Sequence, residues 1–309
     1  MGKFVKTCLI VGAICIVAGI IASGAGIFNG GLSQLKEEVL SGEWTWNGKD
    51  NFGIAPFFEL EKQNYFNDNE NLNVGVEYKE EKFSVADVQE MNVKSAGVTV
   101  EFVEHDGEDI IVGISNVDKY QGYVREGELY IVARGKSSIE LGRGSVQLMI
   151  PAAIYDTGKL ELNVESAASV VDLKHLVVSD VELEISAGTI TWSELQTGEL
   201  KIEMSAGTVT GENTVVSGST DIGLSAGTVN LNGVLGTETD IEMLAGLVNI
   251  SLADAETDYN YDVSCAGGSV TIGNQASAGL AKTFEIKNNA LKNIDVECSM
   301  GAVNISFTE

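Results

Sequence analysis

Acidic residues recur at fixed offsets through the second half of this chain. With Gly188, Gly207, Gly227, Gly246, Gly268 and Gly301 as origins, Glu182, Lys201, Asp221, Asp240, Asp262 and Asp295 stand six places earlier. Four places earlier come Glu184, Glu203, Gly223, Glu242, Ser264 and Glu297. The chemistry open to such a set is electrostatic. Carboxylates stacked at strand spacing would repel by about 1–2 kcal/mol per neighbouring pair at an effective surface dielectric constant of about 40 to 80, and cations would relieve that cost. Glu182, Asp221, Asp240, Asp262, Asp295, Glu184, Glu203, Glu242 and Glu297 are therefore a candidate ladder for weak Ca²⁺ or Mg²⁺ binding through oxygen ligands. A solvated acidic face, screened by ordinary salt, is the competing reading.

Catalytic chemistry has little to build on. The two histidines, His105 in "VEHDGED" and His175 in "LKHLVV", lie in different strand-and-turn contexts, and no serine elbow, phosphate loop or His-rich metal spacing is present. The expectation is a chain that is not an enzyme and carries no cofactor. Cys265 and Cys298 stand three places before their glycines, where the other copies carry Ile185, Met204, Leu224 and Met243. That pattern reads first as buried apolar thiols and second as a disulfide.

The elements that would position these groups follow from the same repeat. The glycines are 19, 20, 19, 22 and 33 residues apart, and "SAGT" itself occurs at Ser186, Ser205 and Ser225. Apolar residues lie five and three places before each glycine and two places after it, for example Ile202, Met204 and Val209 around Gly207. The period-two alternation thus slips by one residue at the glycine. A straight strand would turn its apolar face outward there, so a corner is expected at Gly188, Gly207, Gly227, Gly246, Gly268 and Gly301. Units of about 20 residues that cannot bury their own apolar faces must stack. The fold expected is all-β, a single-chain β-solenoid of about 20-residue coils, with Ile185, Met204, Leu224, Met243, Cys265 and Cys298 forming one inward ladder. "MNVKSAGVTVEF" around Gly97 and "KLELNVESAASVVDL" around Ala168 read as less regular copies. "NQASAGLAKTFEIKNNALKN" is a coil-sized insert between the last two.

The N-terminus is of a different kind. Thr7 to Phe28 is 22 apolar or small residues preceded by Lys3 and Lys6, long enough as a helix (about 33 Å) to span a bilayer. One N-terminal transmembrane helix in residues 7–28 is expected. The lysines put the N-terminus in the cytoplasm and the rest outside. A cleaved signal peptide is the alternative. The outer part carries 17 basic against 45 acidic residues, a net charge of −28, which excludes a nucleic-acid groove. Three regions are expected: 1–31 as cytoplasmic tip and anchor, 32–85 as stalk and cap, and 86–309 as the β-repeat domain. The aromatics Trp44, Trp46, Phe57, Phe58, Tyr65 and Phe66 fall in the second region.

From about Val85 to Phe307, "LYIVARGK", "VQLMIPAAI" and the successive "LEI-SAGTI" units resemble the bacterial adhesin-type β-repeat family, known mainly as a domain of unknown function. They are also similar to the toast-rack repeat domains of membrane-anchored proteins in Gram-positive envelope-stress systems. The resemblance brings no catalytic residues. It implies a non-catalytic, single-pass protein of the bacterial cell membrane, its C-terminal domain extracellular, acting in surface binding or adhesion. The partner would be a cell-wall, host-surface or membrane-protein component. The alternative it implies is an accessory of an envelope-stress sensing system that contacts a membrane partner protein.

Overall fold

The computed structural model describes residues 66, 67, 69–135, 144–155, 158–278 and 282–308. The expected membrane span at 7–28 and the aromatics from Trp44 to Tyr65 lie outside them. Among the described residues no helix is long and apolar enough to cross a membrane.

The described chain is all-β. Asn73–Ser84 (β1), Glu90–Ala96 (β2), Val98–His105 (β3), Asp109–Arg125 (β4), Glu128–Gly135 (β5) and Gly144–Pro151 (β6) precede one helical turn, Ala152–Tyr155 (α1). The regular repeats follow: Glu161–Asp172 (β7), His175–Val177 (β8), Asp180–Trp192 (β9), Glu194–Thr197 (β10), Glu199–Met204 (β11), Thr208–Val216 (β12), Ser219–Leu224 (β13), Thr228–Leu235 (β14), Glu238–Met243 (β15) and Leu247–Leu252 (β16). Tyr259–Cys265 (β17), Ser269–Ile272 (β18), Gln275–Ala278 (β19), Lys282–Ile286 (β20), Lys292–Cys298 (β21) and Ala302–Phe307 (β22) complete the chain.

Successive units pair in parallel and in register. On the side before the glycines, Glu184 faces Glu203, Glu203 faces Gly223 and Gly223 faces Glu242 through β9, β11, β13 and β15. On the side after them, Thr191, Thr210, Asn230 and Asn249 align through β9, β12, β14 and β16. Alternation does the rest: Leu200, Ile202 and Met204 are buried while Glu199 and Glu203 are exposed, and the equivalent inward positions are buried in the other copies.

The glycines sit where the chain bends. Gly188, Gly207, Gly227, Gly246 and Gly301 have φ of 121, 122, 119, 125 and 106°, a left-handed region that disfavours any residue with a Cβ. The stack makes a second demand. The carbonyl oxygen of Gly207 accepts the N–H of Thr228 at 3.0 Å, and that of Gly227 accepts the N–H of Leu247 at 2.9 Å. Each such carbonyl therefore lies beneath the next glycine. Gly268 lacks the left-handed φ and is constrained only by this second demand: a Cβ there would stand 2.5 Å from the Gly301 carbonyl oxygen. The irregular copies obey the rule in part, with Gly97 at φ 67° and Ala168 bulged out of register at φ 53°.

One expectation is corrected. The order of the inward ladder is Ile185, Met204, Leu224, Met243, Cys298, Cys265, not the order of the sequence. β21 and β22 pair with β15 and β16, and β17 and β18 lie outside them. The reason is the insert: β19 and β20 run antiparallel along β18 and β17, taking up the outer edge that further parallel strands would need. At the other end, β4 runs antiparallel across both β5 and β6 and carries β1 along its length. Both ends of the parallel stack are thus closed by antiparallel strands.

Candidate functional site

The acidic residues singled out by spacing come together on one face. One ladder runs Glu182, Lys201, Asp221, Asp240, Asp295, Asp262, and its neighbour runs Glu184, Glu203, Gly223, Glu242, Glu297, Ser264. Glu184, Glu203, Asp221, Asp240, Glu242, Asp295 and Glu297 line a groove of about 840 Å³ that crosses the stacked units, while Glu182, Lys201 and Asp262 lie outside its lining. Ser186, Ser205, Ser225 and Ser299, two places before their glycines, add hydroxyls along the bend. The small side chains of the repeat thus serve the groove as well as the corner.

Charge is not uniform along it. Lys201 holds Glu182 and Glu203 at 2.7 Å each, offsetting part of the charge on the early rungs. Beyond Lys201 the ladder reads Asp221, Asp240, Asp295, Asp262, and among the described residues no lysine or arginine bridges these four. Burial, then Asp221 and Glu238, push the Asp240 carboxyl above the usual carboxylate range. Asp295 is raised by burial, then by Asp262, Asp240 and Glu297. Glu184 is raised by burial, then by Glu165, Glu182 and Glu203. The expected repulsion is therefore present in the groove.

The ladders spread their carboxylates along the stack instead of converging. Among the described residues no three His, Cys, Asp or Glu side chains are grouped so as to hold a metal ion. The histidines are both tied locally. His105 Nε2 meets the Asp109 carbonyl at 2.9 Å and accepts the Gly107 N–H on Nδ1 at 3.0 Å, closing the turn between β3 and β4. His175 Nδ1 lies 2.7 Å from Glu194. Cys265 and Cys298 are buried, free and adjacent. Burial and the Cys265 side chain push the Cys298 thiol up to about 12.

Two features escaped the spacing argument. A second glycine series, Gly198, Gly218 and Gly236, stacks at the next bend: a Cβ on Gly198 would stand 2.6 Å from the Ser179 carbonyl oxygen, and one on Gly218 2.8 Å from that of Gly198. Its signal was legible as "TGEL", "SGST" and "LGTE", each opening a strand. The other is an amide ladder after the corner. Asn249 Nδ2 donates to Asn230 Oδ1 at 2.8 Å, and Asn304 Nδ2 to Asn249 Oδ1 at 2.9 Å.

The family model described as Toastrack DUF4097 matches residues 88–250. The chain belongs to that family. The match begins just before β2 and ends in β16, so the closing strands β17 to β22 lie beyond it. Two solved structures are similar at 10% identity. One is a candidate cell adhesion protein from Clostridium sporogenes ATCC 15579, with 75% of this chain and 99% of that one covered and a TM-score of 0.33. The other is a candidate adhesin from Bacteroides fragilis NCTC 9343, with 74% and 97% covered and a TM-score of 0.25. A search of curated proteins finds no match.

Proposed function

We propose that this Toastrack chain is a non-catalytic binding module of the bacterial cell surface, an adhesion-type β-solenoid tethered through residues 7–28. Its acidic groove is the contact face. The groove carries the reading: it crosses several units, and the aspartates on its wall, Asp221, Asp240 and Asp295, form no salt bridge among the described residues. A face of this charge favours a surface bearing ammonium groups and disfavours phosphate-rich ones. The apolar N-terminal segment and its two lysines support the tether and the outward orientation.

The test is retention of cells bearing the full chain on amine-coated and carboxylate-coated surfaces. The expected result is stronger retention on amines, lost when Asp221, Asp240 and Asp295 are changed together to Asn. Equal retention of wild type and triple variant removes the groove from the function. Family membership favours one second reading, an accessory of an envelope-stress system. Co-purification of a membrane sensor from detergent extracts would support that reading over adhesion.

A further inference from the structure

The out-of-order arrangement brings together the only two cysteines outside the N-terminal apolar segment. Cys265 ends β17, the outermost parallel strand, and Cys298 ends β21, the strand wedged between β15 and β17. They are direct register partners. Neighbouring strands lie about 4.8 Å apart, and disulfides join Cα atoms about 4.4–6.8 Å apart, so the pair stands at bridging distance. Both residues immediately precede bends, at Ala266–Gly268 and Ser299–Gly301, where the backbone leaves the ladder. The same inward position is occupied by Ile185, Met204, Leu224 and Met243 in the preceding units, so a Cys–Cys contact exists at this one junction.

We infer that Cys265 and Cys298 are a disulfide-forming site that fastens the outermost coil to the strand wedged beneath it. The oxidant is a small or protein disulfide of the thiol–disulfide exchange class. The Cys265 sulfur, which accepts the Gly268 N–H at 3.2 Å, attacks as thiolate and displaces one thiolate from the oxidant, leaving a mixed disulfide. The Cys298 sulfur then attacks Cys265 Sγ and expels the second thiolate. Two protein thiols lose two protons and two electrons, and the oxidant becomes two thiols. Relative exposures of 2% for Cys265 and 4% for Cys298 leave little access in the closed fold. The bond therefore forms while β17 and β21 are still separating or closing, and exchange in the closed fold is slow. The high thiol pKa of Cys298 acts in the same direction.

The experiment uses the full chain in detergent, equilibrated with reduced and oxidised glutathione at graded ratios, then acid-quenched, alkylated and mapped without reduction. The expected result is a peptide linking Cys265 to Cys298, with Cys8 and Cys15 tracked separately, and a higher Tm for the oxidised than for the reduced wild-type chain. Formation should accelerate in sub-denaturing urea. Cys298→Ala should instead leave a glutathione adduct on Cys265 and no oxidant-dependent gain in Tm. Complete alkylation of both thiols under the most oxidising ratio overturns the proposal. A linked peptide with unchanged Tm overturns the fastening role. The wild-type comparison with and without reductant stands even if the variant does not fold.

Discussion

A Cβ added to Gly227 would stand 2.6 Å from the carbonyl oxygen of Gly207, one unit below it in the stack. That oxygen is also the acceptor for Thr228 N–H, so it cannot retreat without breaking the ladder. With φ at 119°, Gly227→Ala should cost about 3 kcal/mol from backbone strain and displacement together. Thr210→Ala, on the outward face, should stay within about 0.5 kcal/mol. Urea denaturation of the two variants is the check, and equal midpoints would remove the corner argument.

Two buried threonines should respond in opposite senses to the same change. Thr214 Oγ1 accepts the Trp192 indole N–H at 2.9 Å, so Thr214→Val orphans a buried donor and should destabilise by about 1–3 kcal/mol. Thr220 Oγ1 is buried with no partner among the described residues. Thr220→Val should then be neutral or stabilising by about 1 kcal/mol. Thermal melts read both, and a loss for Thr220→Val would mean its hydroxyl is satisfied in solution.

Acid should first stabilise the fold. Glu184, Asp240 and Asp295 have carboxyls raised above the ordinary range, so the folded state holds protons that the unfolded chain has released. Their contribution favours folding at mildly acidic pH and is lost as pH rises through their folded pKa values toward neutrality. Opposite groups act lower down. Glu101, held down by its hydrogen bond to Lys174, and Asp254, held down against its burial by Lys292 and Tyr259, lose their contribution as pH falls below the ordinary carboxylate range. Melting temperature should therefore rise as pH falls from neutrality toward the ordinary carboxylate range and fall again below it. In Asp240→Asn combined with Asp295→Asn the rise from pH 7 to pH 5 should shrink.

Salt should act by screening. Because the ladders spread their carboxylates and no three converge among the described residues, NaCl, MgCl₂ and CaCl₂ at equal ionic strength should raise Tm alike. A gain specific to divalent ions, lost in Asp240→Asn with Asp262→Asn, would restore the cation-site reading of the ladder.

The bends were legible in the sequence because an alternation that slips by one residue has few structural solutions. At Gly207 and Gly246 positive φ absorbs the slip between Met204 and Val209, or Met243 and Val248, whereas Gly268, with the same slip between Cys265 and Val270, bends without it. The acidic face was legible for the same reason, since every inward residue fixes its neighbours outward. Spatial order was not. The units around Gly268 and Gly301 share one grammar, Val263 with Cys265 and Val296 with Cys298, and nothing in the apolar pattern says which meets Met243. The deciding residues lie in the insert. β19 and β20 turn back against β18 and β17, and antiparallel return strands at an edge have the same alternation as another coil.

The wedged position of β21 and β22 has a consequence in time. A chain made from its N-terminus presents β17 and β18 to the open β15–β16 edge before the proper neighbours exist, and their side chains match that edge nearly as well. At about 5–20 residues per second, several seconds separate the arrival of the wrong neighbour from that of the right one. Folding must therefore keep the early strands away or evict them. Their antiparallel engagement with β19 and β20 gives them somewhere else to be while the edge waits.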